Sequence, residues 1–258
     1  MTGASAGIGQ AFAEVFAANG FDLAIVARRE DRLRALAASL QQRHGGRVHV
    51  FASDLARPDA SARLCDQLTA DRISIDALVN NAGFAVPGSF VKNDWSRHAE
   101  FLQVMLVAVV ELTHRLLPGM LDRGHGRIIN VASLAGLVPG VAGHTLYAAT
   151  KSFLIRFSES LSAEVATRGV HVTAVCPGFT FSEFHDVSGT RHLVSRMPSF
   201  LWMDAETVAR EGYDAVMAGR PVHVTGRVNS AIATLARLLP PRIVYAMNRR
   251  AASRYRQA

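Results

Sequence analysis

Three side chains in this sequence have types and spacing suited to proton chemistry. Tyr147 and Lys151 are four residues apart in Tyr147-Ala148-Ala149-Thr150-Lys151, and Ser133 lies fourteen residues upstream of the tyrosine. On a helix, residues i and i+4 sit one above the other, so Tyr147 and Lys151 share a face. A free phenol titrates near pKa ~10 and is a poor acid–base group at neutral pH. An ammonium within ~4–6 Å favours the phenolate, so Lys151 is expected to draw the Tyr147 pKa down toward the operating range. The Ser133 hydroxyl would then hydrogen-bond a carbonyl oxygen while Tyr147 gives or takes its proton. A surface helix can carry the same two letters by chance, so the elements that would position them have to decide.

Those elements alternate along the chain. Gly3-Ala4-Ser5-Ala6-Gly7-Ile8-Gly9 opens the sequence, and a helical apolar spacing follows until it stops at Asn19-Gly20. A glycine-rich turn before a helix lets backbone approach a pyrophosphate, and the helix N-terminus offers it free N–H groups. Next come a buried strand, 21–27, closed by Arg28-Arg29, a helix over about 30–43, and a strand at 48–51 with Asp54 just beyond it. A helix at about 59–71 leads to strand 75–79, which runs into Asn80-Asn81-Ala82-Gly83. A long apolar helix, 94 to about 121, precedes strand 127–131 and Ser133; the Tyr147 helix continues to about 168, and strand 170–175 ends at Cys176-Pro177-Gly178. Alternation of this kind predicts a Rossmann-type, doubly wound parallel α/β sheet with its sites at the carboxyl ends of the strands. The glycine turn, Arg28, Asp54, Asn80, Ser133 and Pro177 all fall at such ends.

Composition narrows the class. A chain of 258 residues with 49% hydrophobic residues is read as a single α/β domain over 1–258. No run of 18 residues is free of charged and polar groups, so no membrane-spanning helix is expected, and no secretory leader is read at the start. Cys65 and Cys176 fit a reducing compartment, and the cytoplasm is the expected location. The ten histidines are scattered, and no metal site is expected. The net charge of +7 belongs to one segment: from Ala215 onward there are eight arginines and no acidic residue, which leaves the preceding part about neutral. A basic tail on a neutral body is no nucleic-acid reader.

With these motifs in order, the chain resembles the compact single-domain branch of the short-chain dehydrogenase/reductases. Thr2-Gly3-x3-Gly7-x-Gly9 resembles the family's cofactor turn, Asn80-Asn81-Ala82-Gly83 its post-strand motif, and Pro177-Gly178 its nicotinamide-side motif. Ser133, Tyr147 and Lys151 match its catalytic residues. The resemblance implies NAD(P) and hydride transfer between a small-molecule carbonyl and an alcohol. Lys151 is implied to bond the nicotinamide ribose as well. The cofactor residues implied are Gly3, Ser5, Gly7, Ile8, Gly9, Arg28, Arg29, Asp54, Leu55, Asn81, Ala82, Gly83, Tyr147, Lys151, Pro177, Gly178 and Thr180. A homodimer or homotetramer is implied too, through the long apolar helix and the Tyr147 helix. At the end of the second strand an acidic residue would bind the ribose hydroxyls of NAD and repel a 2′-phosphate. Arg28 and Arg29 occupy that place, and guanidinium binds phosphate bidentately, so NADP(H) is expected over NAD(H).

Two features depart from the family pattern. Met105 stands where the family carries an asparagine that holds a proton-relaying water, and a thioether cannot donate. A non-catalytic NADP(H)-binding relative, acting as a sensor or interaction protein, is therefore the alternative reading. The other departure is that only Met1 and Thr2 precede Gly3. The first strand is thus expected to be missing, the gene start misassigned, and the chain as given poorly soluble or inactive. Two segments remain. Residues 179–203, with Phe181, Phe184, Leu193, Met197 and Phe200, are expected to form a lid over a bulky apolar substrate. The basic tail, 230–258, places Ile232, Leu235, Leu238 and Leu239 at helical spacing before Pro240-Pro241, then arginines beside a second apolar piece. Peripheral contact with an anionic membrane is weighed for it, and ordinary packing against the subunit is the favoured reading.

Overall fold

A computed structural model describes residues 1–140, 142–184, 188–189, 191 and 197–239. After the glycine turn, helix α1 (Gly7–Ala18) buries Gly9, Phe12, Ala13, Phe16 and Ala17, a stripe at i, i+3, i+4, i+7 and i+8 that one helical face requires. Phe12 and Phe16 are closed off from solvent, each contributing about 1.5–3 kcal/mol of burial. The helix stops at Asn19, and Gly20 takes a φ of +81°, which a side chain would disfavour. Strand β1 (Leu23–Ala27) leads through helix α2 (Glu30–His44) to strand β2 (Val48–Ala52). Helix α3 (Ala60–Ala70) precedes strand β3 (Ala77–Asn80).

The long apolar helix expected next runs from Trp95 to Asp122 but is not uniform. Helix α4 (Trp95–Leu102) passes through a π-helical segment, Gln103–Val107, into helix α5 (Ala108–Asp122). By length and mean hydropathy of 1.5 it is long and apolar enough to cross a membrane, contrary to the expectation from the sequence. Its apolar face is instead used inside the protein: Phe101, Val104, Met105, Val109, Leu112 and Met120 are buried against the sheet and its neighbours. Strand β4 (Gly126–Val131), helix α6 (Thr145–Val165) and strand β5 (Val170–Cys176) follow at the expected places. Two short strands, β6 (Phe179–Thr180) and β7 (Trp202–Met203), pair in parallel. Helix α7 (Ala205–Met217), strand β8 (Val222–Val224) and helix α8 (Arg227–Leu238) complete the described elements. The sequence reading had not separated α7 and β8 from the segments on either side.

Among the described residues all the strand pairs are parallel, β1 with β2 and then β3-β4-β5-β8 in order. Met1 and Thr2 lie between the two groups. Thr2 N–H donates to Val79 O at 2.9 Å, Val26 N–H donates to Met1 O at 2.9 Å, and Thr2 bridges Val26. The Met1 amine donates to Ala24 O at 2.5 Å, and burial pushes its pKa down to about 5. These two residues join the groups into one Rossmann-type arrangement with the order β2-β1-(Met1-Thr2)-β3-β4-β5-β8. On one side the core gathers α1, α2 and α7 around Phe12, Phe16, Leu33 and Ile25. On the other, α3, α5 and α6 pack around Leu64, Leu112, Met120 and Ile128. At the tail, α8 exposes Val228, Leu235 and Leu238. Leu193 of the expected lid, and the tail from Pro240 onward, lie outside the described residues.

Candidate active site

The carboxyl ends of β1, β3, β4 and β5 open on one cavity of about 570 Å³. Every residue nominated from the sequence for cofactor or chemistry lines it, except Gly9. Gly9 is buried beneath the turn, where an added Cβ would collide with the Gly3 carbonyl oxygen and the Asn81 side chain. The missing side chain lets the turn and the Asn81 loop close on each other.

The turn is pinned from the opposite strand end. Asn81 Nδ2 donates to the carbonyls of Thr2 and Gly3 at 3.1 and 3.2 Å. Thr2 Oγ1 accepts from the N–H groups of Asn81 and Ala82 at 3.0 and 3.1 Å, and donates to Val79 O. Behind this, Asn80 Nδ2 donates to Asn130 Oδ1 at 2.9 Å, and Asn130 Nδ2 donates to Ser158 Oγ at 2.9 Å. This buried polar ladder ties β3, β4 and α6 together at the level of the site, although Asn80 Oδ1 itself is buried without a hydrogen-bond partner.

At the inner end of the cavity, Ser133 follows β4 with its Oγ accepting from Ala135 N–H at 3.1 Å. The hydroxyl donates to Pro177 O at 3.5 Å and stands near enough to the Tyr147 phenol to pull its pKa down. Tyr147 and Lys151 share a face of α6 as their spacing requires, but the lysine does not act on the phenol as expected. Lys151 Nζ sits 5.7 Å from the centre of the Tyr147 ring and donates to Val131 O at 2.6 Å. Burial pushes the Tyr147 phenol up to about 12, with the Ser133 hydroxyl pulling the other way. Burial pushes the Lys151 ammonium down to about 8, partly opposed by the Cys176 thiol. The expected lowering of Tyr147 is therefore not what this arrangement produces. Desolvation outweighs an ammonium that lies over the ring and is anchored on a carbonyl.

His144 stands edge-on to the Tyr147 ring at 6.2 Å and Phe184 lies tilted to it at 5.8 Å. Burial holds the His144 imidazole below its ordinary value, favouring the neutral ring. Phe84, Val104, Leu134, Val138 and Pro139 complete a mostly apolar wall around this end. Met105 is not part of that wall. It is buried inside the π-helical segment, its sulfur against the Cα of Gly83, where an added Cβ would sit 2.6 Å away.

The outer end is charged. Arg28 is exposed on the rim, and Arg29 donates to Ser5 Oγ at 3.0 and 3.3 Å. Arg29 also pairs with Glu183 at 2.9 Å, and Arg32 pairs with the other oxygen of the same carboxylate at 2.6 Å. Ser182 presses on the turn, so that an added Cβ on Gly7 would sit 2.8 Å from the Ser182 Cβ. Gly7 has a φ of +56°. Glu183, Ser182 and His144 escaped the sequence reading. Glu183 is 154 residues from Arg29, and no local pattern announces a pair at that separation.

These residues fit an anionic dinucleotide. The first turn of α1 has no capping side chain and no acidic residue, so its N–H groups face the cavity unopposed. Ser5, Arg28 and Arg29 line the same space. The comparisons agree with this geometry. The family model described as short chain dehydrogenase matches residues 1–191. Nodulation protein G of Rhizobium sp. (strain N33) is 37% identical over 235 residues, covering 88% of this chain and 94% of that one. Sulfoacetaldehyde reductase of Chromohalobacter salexigens is 37% identical over 186 residues, covering 71% and 72%. A short-chain dehydrogenase from Sphingobium yanoikuyae, solved in complex with NADPH, superposes with a TM-score of 0.81 at 31% identity, covering 93% of this chain and 94% of that chain. With the motif set, the parallel sheet and these relatives in agreement, the chain belongs to the short-chain dehydrogenase/reductase family of oxidoreductases.

Proposed function

We propose that the protein interconverts a carbonyl and an alcohol on an apolar substrate, using NADP(H). The observation that carries this is the placing of Ser133 beside Tyr147 at the inner end of a cavity whose wall there is apolar. When bound, NADPH supplies the hydride. Tyr147, held protonated by burial, donates its proton to the oxygen of the reduced carbon. Ser133 donates a hydrogen bond to the same oxygen and keeps it facing the phenol. Lys151, anchored on Val131 O, would hold the ribose beside the nicotinamide, and Arg28, Arg29 and Ser5 would hold the 2′-phosphate. The α1 N-terminus and the loop containing Asn81, Ala82 and Gly83 would hold the rest of the nucleotide, with Asp54, Leu55, Pro177, Gly178 and Thr180 along its sides.

The chain acts as one domain in this reading, and Phe179, Ser182 and Phe184 of the segment 179–203 line the cavity, with Phe184 beside Tyr147. Phe153 stacks on Phe157 at 5.9 Å on the outer face of α6, and Val107 is exposed on the long helix; pairing of two copies is proposed there. The two free cysteines, Cys65 and Cys176, fit the cytoplasm. The second reading, a non-catalytic nucleotide-binding relative, is supported by Met105 and by the basic tail. A panel of ketones, aldehydes and alcohols, each offered with NADPH or NADP, separates the two. Turnover that disappears in Tyr147→Phe while NADPH still binds supports the enzyme. Binding without turnover across the panel leaves the sensor.

A further inference from the structure

The outer end of the cavity contains an anion of the chain's own. Glu183 places one carboxylate oxygen on Arg29 and the other on Arg32. Arg29 is also held by Ser5, a residue of the glycine turn. Arg28, next in sequence, has no ion-pair partner among the described residues and lies exposed on the same rim. The two arginines proposed for the 2′-phosphate are thus unequal: one is already neutralised by a carboxylate and the other is not. A phosphate arriving at this rim brings about two negative charges. It meets one uncommitted guanidinium and, close behind Arg29, a carboxylate of like sign.

Resting on the NADP(H) reading, we infer that Glu183 is a specificity residue for the cofactor, lowering affinity for a 2′-phosphate by competing for Arg29, and that Arg28 is the principal phosphate anchor. The carboxylate is poised for this role because its charge is secure. The paired Arg32 and Arg29 guanidinium groups hold its pKa below the ordinary glutamate value, so it is ionised wherever a nucleotide phosphate is. Its side chain is 44% exposed, and Arg29 is 39% exposed. The competition is therefore screened by salt and moderate in size.

The test uses half-nucleotides, so that the nicotinamide and turnover play no part. Adenosine 2′,5′-bisphosphate and 5′-AMP are titrated calorimetrically into the full chain and its Glu183→Gln, Arg28→Ala and Arg29→Ala variants, at low and high ionic strength. The glutamine keeps the shape and can still accept from Arg29, so folding is preserved; circular dichroism of each variant checks this. In Glu183→Gln, affinity for the bisphosphate should rise about two- to fivefold at low salt and less at high salt, with 5′-AMP unchanged. Arg28→Ala should lose more bisphosphate affinity than Arg29→Ala. A wild type that prefers the bisphosphate while Glu183→Gln leaves it unchanged, or weakens it, overturns the role given to Glu183 and leaves the NADP(H) reading standing. A wild type with no preference for the bisphosphate overturns both.

Discussion

The two ends of the cavity are built on opposite electrostatic plans. At the inner end a few titratable groups are withdrawn from solvent, and burial moves them far: the Tyr147 phenol up to about 12 and the Lys151 ammonium down to about 8. At the outer end Arg28, Arg29, Arg32 and Glu183 are crowded in number, yet water screens each of them. The inner end is suited to holding and moving a proton, where an uncompensated charge is costly. The outer end is suited to selecting an anion, where several weak contacts sum to discrimination. Chemistry and selection are thus separated along one groove.

The largest effect expected from breaking the inner end is loss of the phenol. Tyr147→Phe should reduce turnover by about 10²–10⁴, the usual contribution of a positioned acid, while NADPH affinity changes little. Stopped-flow measurement of hydride transfer alongside a binding titration would show the split, and an equal loss in both would make Tyr147 a binding residue only.

The next effect is one of pH. Lys151 has a folded-state pKa of about 8 against an ordinary 10.5, so between those values the unfolded chain binds the proton and the folded chain does not. Stability contributed by this group therefore rises with pH across that window, by about 3 kcal/mol in total. Tyr147, at about 12 against 10.0, acts oppositely above pH 10, where the folded chain keeps a proton that the unfolded chain has released. Urea unfolding of wild type and Lys151→Met at intervals from pH 7.5 to 10 should show the wild type gaining on the variant. A constant difference would mean the ammonium is better solvated than its contact with Val131 implies.

At the outer end, replacing Arg28 and Arg29 together by alanine should cost about tenfold to a hundredfold in NADPH affinity and leave NADH nearly unchanged. Parallel titrations of both nucleotides would read this directly, and a uniform loss would show that the arginines hold the turn and do not select the phosphate. The smallest effect lies away from the groove. Glu30 and Arg34 pair at i, i+4 on α2 with side chains 50% and 71% exposed. Glu30→Ala should change stability by only ~0.3–0.5 kcal/mol, and a thermal shift well beyond that would contradict the screened picture of the surface.

Much of this was legible in the chain because it is written locally. The glycine turn, the apolar stripe of α1, the Asn80-Asn81-Ala82-Gly83 run at the end of β3 and the i, i+4 spacing of Tyr147 and Lys151 each depend on neighbours within a few residues. Periodicity alone determined that strands and helices alternate, hence that the sheet is parallel and that its carboxyl ends collect the site. The tertiary structure decided what depends on distant partners. The π-helical segment around Met105 breaks a helix whose composition reads as continuous, and Met105 lies against Gly83, from another part of the chain. The direction of the Tyr147 shift was misjudged because adjacency along a helix says nothing of depth. The lysine's ammonium is turned to the Val131 carbonyl, and desolvation sets the sign. Glu183 reached Arg29 and Arg32 only because the strand after Pro177-Gly178 folds back over the glycine turn. Sequence spacing determines which face a side chain is on; burial and long-range pairing, which set its charge and its partners, exist only once the chain has closed on itself.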